Sequence, residues 1–197
     1  LSPRQQANAL LDQQKQILVA LNQDYSKADP AAMYKELVKD STANGLPLYV
    51  ATIDGETKYV LKLHGAGLWG GIGGYLALDA DKNTIFGINF NHESETPGLG
   101  AEIVAAYFRN QFNGKHIRNA EGTICSVAVL KTGKTAENGQ EQVDAISGAT
   151  ITSTGVSDML VNNLAEYAEF LNDCQTNNCA APCEAVSESD EVAQTVE

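Results

Sequence analysis

The chain is short of positive charge. Lysine and arginine number 13 against 25 aspartates and glutamates, a formal net charge of −12. Nucleic-acid binding needs a basic patch, so that class of function is excluded. An acidic body also avoids anionic membrane surfaces unless it is anchored there. No apolar run approaches the ~20 residues that crossing a bilayer requires. Only 3 histidines occur, and none pairs with another at ligand spacing, so no metal site is expected. Cysteine is scarce, with 4 residues. Cys125 lies in an apolar, strand-like run and reads as a buried, inert thiol. Cys174, Cys179 and Cys183 crowd the tail in a spacing that matches no zinc pattern. A surface tail is the simplest reading; one disulfide plus a free thiol is the alternative in an oxidising compartment. The sequence begins at Leu1 with neither an initiator methionine nor a secretory signal, so a targeting or anchoring segment is expected before it.

What is present is a globular composition. The 197 residues are 43% hydrophobic, enough for one domain with a small helical appendage. Ser2 and Pro3 can start a helix. Leu10, Leu11, Ile17, Leu18 and Leu21 then recur at helical spacing. Asp29-Pro30 reads as the start of a second helix carrying Met33, Tyr34, Leu37 and Val38, ended by Asn44-Gly45. From Leu48 the period changes to two. Tyr49–Ile53 and Lys58–Leu63 read as strands around the hairpin signal Asp54-Gly55. A glycine-rich loop covers Gly65 to Gly74. Tyr75–Leu78 and Thr84–Asn91 form a further strand pair. Glu102–Phe112 reads as helical, with Ile103, Ala106, Tyr107 and Phe112 apolar. Ile124–Leu130 reads as a strand, and 131–142 as a polar loop.

The clearest element is the last. Val156, Met159, Leu160, Leu164, Tyr167, Phe170 and Leu171 mark an amphipathic helix starting near Ser153 or Thr154. Thr150 then lies just outside its N-terminus. Glu184–Glu197 is polar and acidic and reads as disordered. The expected organisation is an N-terminal helical segment over 1–44, a ligand-binding domain over 45–172 and an acidic tail over 173–197. Short connections between neighbouring strands make the sheet mostly antiparallel, flanked by N-terminal and C-terminal helices, an α+β fold.

Three loops carry candidate chemistry. Gly65-Ala66-Gly67-Leu68-Trp69-Gly70-Gly71 contains G-x-G-x-x-G, but a strand follows where the dinucleotide fingerprint needs a helix. Glycine lets backbone approach a flat ligand, and Leu68 and Trp69 supply apolar faces. A linker between strands is the plainer alternative. His92 to Gly100 contains the turn signal Pro97-Gly98. It forms a rim presenting Glu95, Thr96, Gly98 and Leu99. Thr96 and the backbone can bond a polar ring edge, and Leu99 can cover an apolar face. The third stretch, Asp144 to Thr150, reads D-x-x-S-G-A-T, with Ile151, Thr152, Ser153 and Thr154 following. Ser147, Gly148, Ala149, Thr152 and Ser153 bring small and hydroxyl-bearing groups to a helix start, where a phosphate can rest. A Ser/Thr-rich helix cap is the bland alternative.

This last stretch resembles the flavinylation motif of the FMN-binding domain family. With Gly67-Leu68-Trp69-Gly70 and the Thr96-Pro97-Gly98-Leu99-Gly100 loop, in that order, the chain resembles the C subunit of the sodium-translocating NADH:quinone oxidoreductases. The G subunit of the Rnf electron-transport complex is a near relative sharing two of the motifs. The resemblance covers roughly residues 2 to 171. It implies FMN carried on Thr150 through a phosphoester, and a separate flavin transferase that Asp144 helps to recognise. Protein made without that transferase is expected to be empty. It further implies electron relay among the other subunits of a membrane complex, on the periplasmic face, behind an N-terminal membrane helix. The chain is not expected to oxidise NADH alone, because no nicotinamide site is evident. The negative charge balance should lower the flavin potential. A non-redox FMN- or phosphate-binding module is the alternative function.

Overall fold

The computed structural model describes residues 2–173. Helix α1 (Pro3–Ala20) starts on a reciprocal cap, in which Ser2 Oγ accepts from Gln5 N and Gln5 Oε1 accepts from Ser2 N at 2.8 Å. Such pairs satisfy donors that the first helical turn leaves open. Helix α2 (Pro30–Leu37) is shorter than expected. Instead of continuing to Asn44, the chain becomes strand β1 (Val38–Ala43). Asn44 and Gly45 both take positive φ, 51° and 83°. They form a two-residue hairpin turn to β2 (Leu46–Ile53) instead of ending a helix. Asp54-Gly55 repeats that geometry before β3 (Glu56–Ala66), as its sequence predicts.

Strands β4 (Gly71–Asp79) and β5 (Ile85–His92) complete a five-stranded antiparallel sheet in chain order, β1-β2-β3-β4-β5. The glycine-rich loop is therefore much shorter than its sequence suggests. Gly73 and Gly74 pair with His64 and Leu63 inside the β3–β4 ladder. Only residues 67–70 make the connection, closed by a 2.8 Å bond from Gly67 N to Gly70 O.

Both faces of the sheet are covered. Tyr49, Ala51, Val60, Tyr75 and Ala77 pack against Ile17 and Leu18 of α1, Leu21 just after it and Tyr34 of α2. Leu48, Leu61, Leu63, Leu76 and Leu78 face the opposite way, toward the long helix α4 (Thr150–Glu166). Alternation by two thus feeds two cores, an α+β sandwich. α4 begins at Thr150, one turn earlier than expected, so Thr150 is its first residue and not a residue outside it.

The stretch 100–112 is not one helix. It divides into a 3-10 turn (Gly100–Val104), a short helix α3 (Ala106–Arg109) and a second 3-10 turn (Asn110–Phe112). Ala105 is extended, with ψ 142°, and this resets the helical phase. Ile103, Phe108 and Phe112 are consequently buried, while Tyr107, expected on the apolar stripe, is exposed. Phe90, Phe108 and Phe112 pack as a triad with centroids 5.6–5.7 Å apart. The expected strand 124–130 shortens to β6 (Val127–Leu130), which pairs in parallel with β7 (Glu141–Asp144), a strand inside the stretch read partly as loop. Cys125 is half-buried, not buried, and burial together with Glu121 and Glu141 pushes its thiol pKa up. A last short helix, α5 (Ala168–Asn172), closes the described chain. The three tail cysteines and Glu184–Glu197 lie outside the described residues.

Candidate functional site

The three loops meet at one end of the sheet, and Glu95 joins them. It is buried, and Oε1 accepts from Trp69 N at 2.9 Å. Oε2 accepts from the Thr152 hydroxyl at 2.6 Å. Glu95 N in turn bonds His92 Nδ1 at 3.3 Å. Burial pushes the carboxyl pKa up, but donors on Thr152, Trp69 and Leu68, with His92 nearby, outweigh it and leave the pKa lowered. Each of those bonds favours the charged form. One carboxylate therefore ties the β3–β4 turn and the loop after β5 to the first turn of α4.

Glycine makes this convergence fit. A Cβ on Gly100 would fall 2.2 Å from Glu95 Oε2 and 2.6 Å from Thr152 Oγ1. On Gly67 it would fall 2.4 Å from Glu95 Oε1, and on Gly155 2.3 Å from the Ala66 carbonyl. Gly148, at φ 76°, lies against Leu99: a Cβ there would be 3.0 Å from Leu99 Cδ2. The proline turn thus sits directly over the S-G-A-T stretch.

Three expected contacts are corrected by this geometry. Glu95 does not stand on the rim, because both its oxygens are used inside. Thr152 is consumed by Glu95. Ser153, also buried, accepts from Ile146 N at 3.2 Å and closes the loop before α4. These residues build the site and do not face outward. Ala149 is buried as well and stands as the N-cap of α4, with no side-chain hydrogen bond to the helix.

What does face outward is a consistent set. Thr150, Ser147, Gly148, Thr96 and Gly98 are exposed. Trp69 is 65% exposed, Leu68 44% and Leu99 41%. Single exposed apolar residues are ordinary, but several gathered at one end of a domain mark an interaction site. Ile151, 59% exposed, joins them and was missed in the sequence. Its signal was an apolar residue at a helix start, off the Val156–Leu160–Leu164 stripe. Asp144 is exposed at the end of β7, its backbone held by the Gln111 side chain. The end of the domain therefore offers an apolar surface beside an exposed hydroxyl, at a helix start whose first N–H groups lack a side-chain cap. That combination suits a flat ring with an anionic tail.

The family model described as FMN-binding domain matches residues 67–165, which holds all three loops. A crystal structure of the C subunit of Na(+)-translocating NADH-quinone reductase from Parabacteroides distasonis superposes with a TM-score of 0.81 at 43% identity, covering 88% of this chain and 98% of that one. The chain belongs to the FMN-binding domain family, as a homologue of that C subunit. The same subunit from Yersinia pestis is 38% identical over 116 residues, 58% of this chain and 43% of the relative. That from Vibrio alginolyticus is 35% identical over 156 residues, 77% of this chain and 54% of the relative. This chain spans about half the length of the curated relatives it matches. A crystal structure of Shewanella oneidensis NqrC, 22% identical with a TM-score of 0.68, shares the fold. Among the described residues, no helix is long and apolar enough to cross a membrane.

Proposed function

We propose that this chain is the FMN-carrying domain of the C subunit of a sodium-translocating NADH-quinone reductase. We further propose that FMN is attached through its phosphate to the Thr150 hydroxyl. The observation that carries this reading is Thr150 itself: exposed, first in α4, and beside the Leu99–Gly148 contact. When bound, the flavin supplies the redox chemistry, and the protein supplies position and electrostatics. Thr150 fixes the phosphate end. The N–H groups opening α4 face the phosphate charge. Leu68, Trp69, Leu99 and Ile151 give the ring apolar surface, and Thr96 and Gly98 offer polar groups at its edge. Glu95, Thr152 and Ser153 hold these parts in register from beneath.

Attachment is the work of a separate flavin transferase, which would move FMN from FAD to the hydroxyl with AMP and the hydroxyl proton leaving, and for which exposed Asp144 is a recognition residue. The domain then passes electrons between cofactors of neighbouring subunits on the extracytoplasmic face of the membrane. It does not oxidise NADH alone. Its acidity lowers the flavin potential; a redox titration in which neutralising half-buried Glu102 and exposed Asp144 leaves the potential unmoved would count against that. The direct test of attachment is co-production with a flavin transferase, followed by a denaturing gel. The chain should fluoresce in the gel, and Thr150→Ala should not. Flavin retained by Thr150→Ala through denaturation would overturn the assignment.

A further inference from the structure

A second concave site lies away from the three loops. A groove of about 390 Å³ opens between residues 118–126 and the C-terminal part of α4 with α5. That volume is within the ~300–1,000 Å³ usual for small-molecule sites. None of its lining residues belongs to the proposed flavin site.

Three features separate it from an ordinary surface dent. First, Ser126 lines it and is 1% exposed, yet its Oγ has no hydrogen-bond partner. Buried hydroxyls almost always have one. Second, Ser126 has φ 68°, uncommon for a residue with a side chain. Cys125 N and Ser126 N both donate to Ile117 O at 2.9 Å, which holds the strained residue in place. Third, Arg118 is the one charged side chain among the described residues that line the groove. Its guanidinium donates to Gly122 O at 2.9 Å, Asn172 Oδ1 at 3.1 Å and Leu171 O at 2.8 Å. All three acceptors are neutral, and five N–H groups are available, so donors and a full positive charge remain. Among the described residues no carboxylate forms an ion pair with Arg118: the ion pairs there involve Lys58, His64 and His116. The opposite wall is apolar, formed by Val161, Leu164 and Ala168, with Val161 47% exposed.

We propose that this groove binds a small amphipathic monocarboxylate. The carboxylate meets Arg118 and the Ser126 hydroxyl, and the apolar body lies against Val161 and Leu164. A guanidinium fork matches a planar carboxylate in shape as well as charge. One cation in an apolar groove suits one negative charge and not the several of a phosphate ester. In a chain of net charge −12, an arginine with no ion pair among the described residues is also a selective place for an anion.

The experiment is an NMR titration of the full chain with octanoate, with octanol as the uncharged control. Octanoate should give saturable amide shifts confined to residues 118–126 and 161–172, and octanol should bind about tenfold more weakly, the loss of one charge-assisted contact. Ala165→Phe, on the exposed wall, should fill the groove and remove the octanoate shifts with Tm unchanged. Ser126→Gly should raise Tm, because glycine accepts positive φ, while weakening octanoate binding severalfold. A serine of purely structural value would lower Tm and leave binding alone. Equal binding of octanol and octanoate, shifts that do not saturate, or full binding by Ala165→Phe would overturn the proposal.

Discussion

The Thr152 hydroxyl donates 2.6 Å to Oε2 of Glu95, a buried contact between residues 57 apart in the chain. Cutting it takes the side-chain donor from Oε2 of a buried carboxylate, while Oε1 keeps Trp69 N. Thr152→Val should cost roughly 1–3 kcal/mol, the penalty for an unsatisfied buried group with a charged partner. Glu95→Ala should cost more, since it also frees Trp69 N. Chemical denaturation measures both, and a change under ~0.5 kcal/mol in either would show that the loops are held by something else.

The same carboxylate sets an acid limit. Its folded pKa lies below the ordinary 4.5. Stability from ionised Glu95 is therefore fully present above that value and is lost as pH falls through the folded pKa. Wild-type stability should decline below pH 4.5 more steeply than that of Glu95→Gln. Parallel curves across that range in urea unfolding would refute the link.

Gly100→Ala should disturb the site without touching an exposed residue. The new Cβ would fall 2.2 Å from Glu95 Oε2. Overpacking of this kind costs about 1–3 kcal/mol. Thermal melting reads the cost, and in-gel fluorescence after co-production with a transferase should show reduced flavin loading.

Thr150→Ala should separate function from folding. Its side chain is exposed at the start of α4. Stability should stay within ~0.5 kcal/mol of wild type while flavin attachment disappears. A large fall in Tm would mean that the hydroxyl serves the fold.

Trp69 offers a direct readout, being the 1 tryptophan of the chain and 65% exposed. Loading with FMN should quench its emission if the ring lies against the indole, as proposed. Emission unchanged between loaded protein and Thr150→Ala would place the ring elsewhere.

Legibility followed physical contrast. Asp54-Gly55 between two alternating runs is a strong local signal, and the turn forms there. The stripe from Val156 to Leu164 was plain because α4 buries one face, whereas the single helix expected through Leu171 breaks at Tyr167, and Leu171 is buried from α5. Strand β1 was hidden: its V-K-D-S-T-A sequence buries only its first and last residues. An edge strand dressed in charge resists unwanted pairing but gives no apolar period. The break at Ala105 depends on a dihedral that neighbouring residues do not advertise. The site was legible as three loops, because glycine, proline and hydroxyl residues concentrate there. The roles inside it were not. Glu95 lies between exposed Ser94 and Thr96, and nothing in that neighbourhood distinguishes an acid at the rim from one turned inward. Thr150 and Thr152 look alike as letters; position on the first turn of α4 exposes one and buries the other.

The sheet is a simple meander whose neighbours follow one another along the chain, and α4 comes after all of it. Glu95 meets Thr152 only where that helix docks against the end of the sheet. Under the proposed function, flavin loading at this end would therefore report complete folding: a half-folded chain has the motifs but nowhere to bring them together.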